Sequence, residues 1–152
     1  MIRGVIGLKE IEVLLVEDNP VDAMVTAEAF KEAAVPAILR VVQDGLEALD
    51  YLRKKGPNAN AKRPAFIFLD LNLPKKDGRE VLAEIKADPD LRDIPVAILS
   101  SSQDEHDIAT SYELHANCYI VKPSRLEDLV ESAKAIEHFW FQVARLPKGN
   151  GL

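Results

Sequence analysis

The sequence predicts an α/β fold, an open and doubly wound parallel sheet of five strands alternating with five helices. Three observations lead there. Five short runs rich in Val, Ile and Leu recur along the chain, at Ile11 to Val16, Ile38 to Val42, Ala65 to Leu69, Val96 to Leu99 and Cys118 to Val121. They are apolar at nearly every position, the first, third and fourth most of all, as suits strands covered by helices on both faces. The intervals between them are too long for hairpins but right for strand-helix-strand units.

Helix signals fill those intervals in order. Asn19-Pro20 offers a side-chain cap and then proline at the first helical position, so a helix opens there and runs to about Ala33. Asp44 with Glu47 makes a capping-box pattern that opens a second helix, with Leu46, Leu49 and Leu52 on one face and Gly56-Pro57 as its stop. Gly56 to Pro64 is a longer polar loop than such connections usually need, a mobile surface loop or a partner-recognition element. Gly78 to Ala87 reads as the third helix, with Val81, Leu82 and Ile85 inward and Asp88-Pro89 at its end, and Asp104 to Leu114 as the fourth. Leu126, Leu129, Val130, Ala133, Ile136 and Trp140 keep helical spacing through an extended last helix that continues towards Arg145.

With 152 residues, 47% of them hydrophobic, the chain has material for one core. The expected division is a lead at 1–9, one domain at 10–146 and a tail at 147–152. The formal charge is −6, from 25 acidic and 19 basic residues, and no cluster of Lys and Arg rises out of that background, so the electrostatic footprint of a nucleic-acid binder is missing. Cys118 is the single cysteine and sits in an apolar run, which reads as a reduced, buried thiol. The opening residues are broken by Gly4, Gly7, Lys9, Glu10 and Glu12, unlike a signal peptide, and nothing approaches the roughly 20 apolar residues of a membrane span. Cytoplasm is the expected location.

A sheet of this kind is flavodoxin-like, with strand order 2-1-3-4-5, and ligands bind beyond the carboxyl ends of its strands. The first strand ends in Glu17-Asp18, the third in Asp70, the fourth in Ser100 and the fifth in Lys122-Pro123. Converging carboxylates repel one another unless a cation intervenes, and an all-oxygen site suits Mg²⁺, a hard ion that keeps several waters. Asp70 is then placed as a nucleophile for phosphoryl transfer, which needs positive charge on the phosphoryl oxygens more than it needs an acid or base. Lys122 supplies that charge and the Ser100 hydroxyl a hydrogen bond. Two plainer readings stand beside these: Asp18 as a cap for the first helix, and Lys122 as an ordinary ion pair with a neighbouring carboxylate.

The residues at this edge resemble the receiver domains of two-component response regulators. Five signatures in order carry the likeness: VLLVEDNPVD, DGLEALDYL, FIFLDLNLPKKDG, IPVAILSSS and ANCYIVKP. The resemblance implies that Asp70 is phosphorylated by a sensor histidine kinase or a phosphotransfer protein. It implies Mg²⁺ held by Glu17, Asp18, Asp70 and the backbone carbonyl of Asn72. It makes Ser100 the switch hydroxyl, Tyr119 the aromatic residue that follows it, and Lys122 the phosphoryl-binding lysine, with a cis Lys122-Pro123 peptide. Ser100 stands where Thr is commoner and Ser101 where Ala often stands, while Asn72 and Ser102 occupy positions that tune dephosphorylation.

Output is expected through the surface of the fourth helix, fifth strand and fifth helix, to a separate partner or by dimerisation. Phe139, Trp140, Phe141, Val143 and Leu146 make a homodimer through the last helix one reading and simple coverage of the sheet another. The long loop and extended tail look like the single-domain regulators paired with bacterial phytochrome kinases. An enzyme of the haloacid dehalogenase type would want a second Asp two residues after the nucleophile, where this chain has Asn72, and a receiver that no longer takes phosphate would not need Asp70, Asp18 and Lys122 together. His106, His115 and His138 show no mutual spacing of a metal site or catalytic pair.

Overall fold

The computed structural model of the chain describes residues 10–147, so the expected lead and residues 148–152 of the expected tail lie outside the described residues. Five parallel strands, β1 (Ile11–Val16), β2 (Ala37–Val42), β3 (Phe66–Leu69), β4 (Val96–Ser100) and β5 (Cys118–Val121), form one sheet in the order β2-β1-β3-β4-β5. The helices are α1 (Pro20–Glu32), α2 (Gly45–Leu52), α3 (Gly78–Ala87), α4 (Glu105–Glu113) and α5 (Leu126–Ile136). The flavodoxin-like fold is therefore the observed one, with strand limits within a residue of those expected.

Period-two alternation along the strands divides the core into two layers. Leu14, Val16, Ile67, Leu69, Val96 and Ile98 face α2 and α3, whose Leu49, Val81, Leu82 and Ile85 close that layer. Val13, Leu15, Phe66, Phe68, Ala97 and Leu99 face α1 and α5, whose Phe30, Ala133 and Ile136 close the other. The three central strands are buried on both faces, as their unbroken apolar runs require, while β2 and β5 are the edges and carry exposed positions. Helix α4 is the most thinly packed of the five, with Ser111 its one buried residue.

Several local expectations are corrected. Leu46 is 47% exposed rather than inward, because the buried face of α2 is Gly45, Ala48, Leu49 and Leu52, at one-turn spacings that leave Leu46 about 100° away. The helix ends at Leu52, ahead of Gly56-Pro57, and Gly56–Asn58 forms a separate short 3-10 turn. Leu126 opens α5 but stays exposed. The last helix is extended as expected, but its extension is not regular α-helix: Glu137–Val143 is π-helical, closed by the Ala144 amide on the Phe139 carbonyl at 2.7 Å. That widened turn lays Trp140 and Phe141 edge-on against Phe66, with ring centroids 5.2 and 5.6 Å away. The Lys122-Pro123 peptide is trans, as are all peptides among the described residues, the isomer that an X-Pro bond prefers without a constraint against it.

Cys118 lies under Trp140, and burial pushes its thiol pKa up against the opposing hydrogen bond from Trp140. Only the thiolate is nucleophilic. Iodoacetamide at mildly alkaline pH is expected to alkylate native Cys118 at least about tenfold more slowly than the urea-unfolded chain. Cys118 is half-buried rather than fully buried, and equal rates followed by mass spectrometry would contradict its shielding by Trp140.

Candidate functional site

The carboxyl ends of β1, β3 and β5 bring the acidic residues and the lysine together. Glu17 extends β1, its amide bonded to the Val42 carbonyl, and Asp70 extends β3, its amide bonded to Val16. One oxygen from each of Glu17, Asp18 and Asp70 falls within 4.8 Å of the others. Lys122, just past β5, reaches across with Nζ 2.6 Å from Glu17 Oε1 and 3.7 Å from Asp70 Oδ2. Glu17 and Asp70 are buried and Asp18 is exposed, so the cluster has two sheltered carboxylates and one open to solvent.

Backbone amides aim these carboxylates. The Asn19 N–H donates to Glu17 Oε2 at 3.1 Å and the Asn72 N–H to Asp70 Oδ1 at 3.2 Å. Asn19 itself, not Asp18, caps α1, accepting from the Val21 and Asp22 amides. The capping reading of Asp18 therefore falls. The ion-pair reading of Lys122 is met by the geometry, since its ammonium lies within 4 Å of three carboxylates, those of Glu17, Asp22 and Asp70.

Asp22 is a member that the sequence reading missed: its Oδ2 lies 3.4 Å from Lys122 Nζ. The available signal was its position in the first turn of α1, on the side that faces the strand ends. Burial raises the Glu17 pKa against the hydrogen bonds from Lys122 and Asn19, and the Asp70 charge raises it further. Burial pulls Lys122 down, but its hydrogen bond to Glu17 and the charges of Glu17, Asp70 and Asp22 outweigh that, and its pKa rises. The two rises differ in origin: burial drives that of Glu17, with the Asp70 charge a smaller addition, whereas the surrounding carboxylates drive that of Lys122.

The neighbouring loop after β4 is held by its own network. Ser100 is fully buried, and its Oγ accepts the Ser102 N–H at 3.2 Å. Tyr119 Oη donates to the Ser102 carbonyl at 2.9 Å, so the ring lies turned towards this loop. Ser102 Oγ donates to Asp107 on α4 at 2.7 Å, and Arg79 on α3 donates to the other Asp107 oxygen, also at 2.7 Å. The hydrogen bond from Ser102, and then that from Arg79, holds the Asp107 carboxyl below its usual range. Its paired form is thus favoured above the ordinary carboxylate pKa and is lost as pH falls through the depressed one.

The family model for the response regulator receiver domain matches residues 13–134, from within β1 to near the end of α5. The chain belongs to that family. The receiver is 48% identical over 135 residues to the response regulator Rcp1 of Synechocystis, a match covering 89% of this chain and 92% of that protein. Its structure is similar to that of the phosphorylated cyanobacterial phytochrome response regulator RcpA, with a TM-score of 0.86, 53% identity and coverage of 91% of this chain and 99% of that one. It is also similar to the Mn²⁺-bound form of Rcp1, with a TM-score of 0.83, 47% identity and coverage of 90% and 99%. Receiver domains bind a divalent metal in an acidic site, and the donor set of this receiver fits one: three carboxylate oxygens converge and Lys122 is the one cation among them. As response regulators, such domains pair with histidine kinases. Among the described residues no helix is long and apolar enough to cross a membrane.

Proposed function

We propose that this receiver, bounded at residues 10–146, accepts a phosphoryl group on Asp70 from a phosphohistidine, with Mg²⁺ held by Glu17, Asp18, Asp70 and the Asn72 carbonyl. The observation that carries the reading is the Glu17, Asp18 and Asp70 cluster with Lys122 3.7 Å from Asp70 Oδ2. In the transfer, an Asp70 carboxylate oxygen would bond to phosphorus as the P–N bond to the donor breaks, and the imidazole, already protonated on its other ring nitrogen, would leave neutral with the P–N electron pair. Mg²⁺ supplies charge neutralisation for the phosphoryl oxygens. Lys122 sits within reach of Asp70 to meet a second oxygen, and buried Ser100, at the adjoining strand end, is placed to donate to a third.

Readout follows from the same loop. A shift of the Ser100 hydroxyl towards a phosphoryl group would pull on the Ser102 amide bonded to it, and Ser102 in turn holds Tyr119 and Asp107. Thinly packed α4 is the element best able to shift, so the α4, β5 and α5 surface would change and pass the signal to a separate partner or a second copy. Phe139 and Val143, 52% and 59% exposed, support dimerisation through the end of α5. Sedimentation of Phe139→Ser should then show a weaker dimer than wild type, and a monomer in both would reject that route. Likeness to RcpA and Rcp1 supports a phytochrome-type sensor kinase as the donor, and with it a cytoplasmic location.

Turnover of free substrates is not part of the proposal. A phosphatase would need an acid to protonate a leaving group, and Asn72 stands two residues after Asp70. What remains in this reading is the self-catalysed gain and loss of the receiver's own phosphoryl group.

Acetyl phosphate with Mg²⁺ should add one base-labile acyl phosphate to the chain, and EDTA should prevent it. No mass increase under these conditions would overturn the reading. Mg²⁺ alone should also stabilise the fold: at about ten times its Kd the gain is about 1.4 kcal/mol, or roughly 3–5 °C in Tm for a domain this size. Asp18→Asn should remove most of that increment while leaving the metal-free Tm nearly unchanged, because Asp18 is exposed and caps nothing.

A further inference from the structure

The end of the sheet remote from Asp70 carries a basic groove that phosphoryl transfer does not use. Helices run opposite to strands in this fold, so the C-termini of α2 and α3 gather at the amino ends of the strands. Between them lies a groove of about 960 Å³. Arg53, Lys54, Lys55, Lys62 and Arg63 line it, with Asp88 and Asp90 on the opposite wall and Leu52 and Leu91 in the floor. Residues 53–63 hold five of the chain's 19 cations and none of its 25 carboxylates.

The five cations divide into two kinds. Arg53 is paired with Glu84 at 3.4 Å and Asp88 at 3.6 Å, and Arg63 donates to the Asp90 carbonyl and to Asp93, each at 2.5 Å. These arginines brace the walls. The lysines in ion pairs among the described residues are Lys75, Lys76, Lys122 and Lys134, so Lys54, Lys55 and Lys62 face the groove uncompensated. Lys54 moreover has φ +56°, just past the end of α2, where helices ordinarily place glycine. Ala34 and His115 take the same conformation after α1 and α4.

We propose that this groove docks an acidic segment of a partner protein, a short peptide whose carboxylates alternate with apolar side chains. Charge complementarity selects the anion, and exposed Ala59 and half-buried Ala61 in the lining offer apolar contact to a chain with apolar groups that a bare phosphate polyanion would not use. The net charge of −6 works against a nucleic acid, which would extend beyond the groove over an acidic surface. Docking at this end leaves the Asp70 edge free for a kinase.

Fluorescence anisotropy of the full chain with a labelled peptide of repeating Glu-Glu-Leu, about a dozen residues long, in about 50 mM salt, tests this. Saturable binding is expected, at least about tenfold weaker for Lys54→Gly/Lys55→Ser/Lys62→Ser. Lys54→Gly alone should bind more weakly yet melt higher, since glycine relieves the left-handed backbone, and that opposition separates docking from folding. Phosphoryl uptake from acetyl phosphate should be unchanged in all variants, which keeps this test apart from that of the phosphoacceptor. Absence of saturable binding, equal binding by the triple variant, or tighter binding of a DNA duplex of matched charge would each overturn the proposal. So would a salt-sensitive dimer of the chain lost in the triple variant, which would make a second copy the occupant.

Discussion

Asp70→Asn is expected to take up no phosphoryl group from acetyl phosphate and Mg²⁺, a loss of at least about 100-fold in labelled protein by intact mass. The amide is close to isosteric and keeps an oxygen for the Asn72 N–H that now donates to Oδ1 at 3.2 Å. It lacks the anionic oxygen that must bond to phosphorus. The same change removes one charge from a cluster of three carboxylates within 4.8 Å, so the metal-free variant should fold at least as stably as wild type. Stability and labelling therefore move in different directions, and loss of labelling cannot be put down to unfolding. The variant should also lose much of the Tm increment that Mg²⁺ gives, because a ligand and a source of repulsion leave together. Labelling at the wild-type level would mean that another carboxylate, Asp18 being the most open, is the acceptor.

What could be read from the chain depended on how local the physical cause was. β1, β3 and β4 were legible because burial on both faces leaves an unbroken apolar run, and Glu17, Asp18 and Asp70 because charge ends each run abruptly. β2 and β5 were fainter, their edge positions mixing polar residues into the pattern. Leu46 misled because i, i+3 spacing fits two overlapping faces of α2, and only the close approach of Gly45 to Lys76 decides which is inward. The π-helical end of α5 left no mark in a pattern that fits regular helical spacing as far as Trp140. Asp22 joins the cluster only because Lys122, 100 residues later, reaches it. The basic groove was invisible in the same way: its cations are split by six polar and small residues, and its opposite wall comes from the turn after α3.

Gly78→Ala should produce the second large effect, a loss of about 3 kcal/mol or more in urea unfolding together with loss of Mg²⁺ stabilisation. A Cβ at position 78 would sit 2.1 Å from the Asp70 carbonyl oxygen and 2.6 Å from Leu71 Cα, both backbone atoms that cannot rotate aside. The Gly78 amide is at the same time bonded to the Leu71 carbonyl at 2.8 Å, so helix and loop are pressed together by design of the turn. Relief must come from moving residues 70–72, which carry the proposed acceptor and the proposed metal-binding carbonyl. Gly45→Ala is the matched comparison: its Cβ would meet the Lys76 carbonyl oxygen at 2.0 Å, at the far end of the same loop. It should cost similar stability while sparing more of the Mg²⁺ response, because Asp70 is not the atom struck. Gly56→Ala, with nothing within 4 Å, should cost only the backbone strain of φ +57°, about 1 kcal/mol. If Gly78→Ala lost stability but kept the full Mg²⁺ increment, the loop after β3 would not be what sets the metal site, and the proposed role of the Asn72 carbonyl would fail with it.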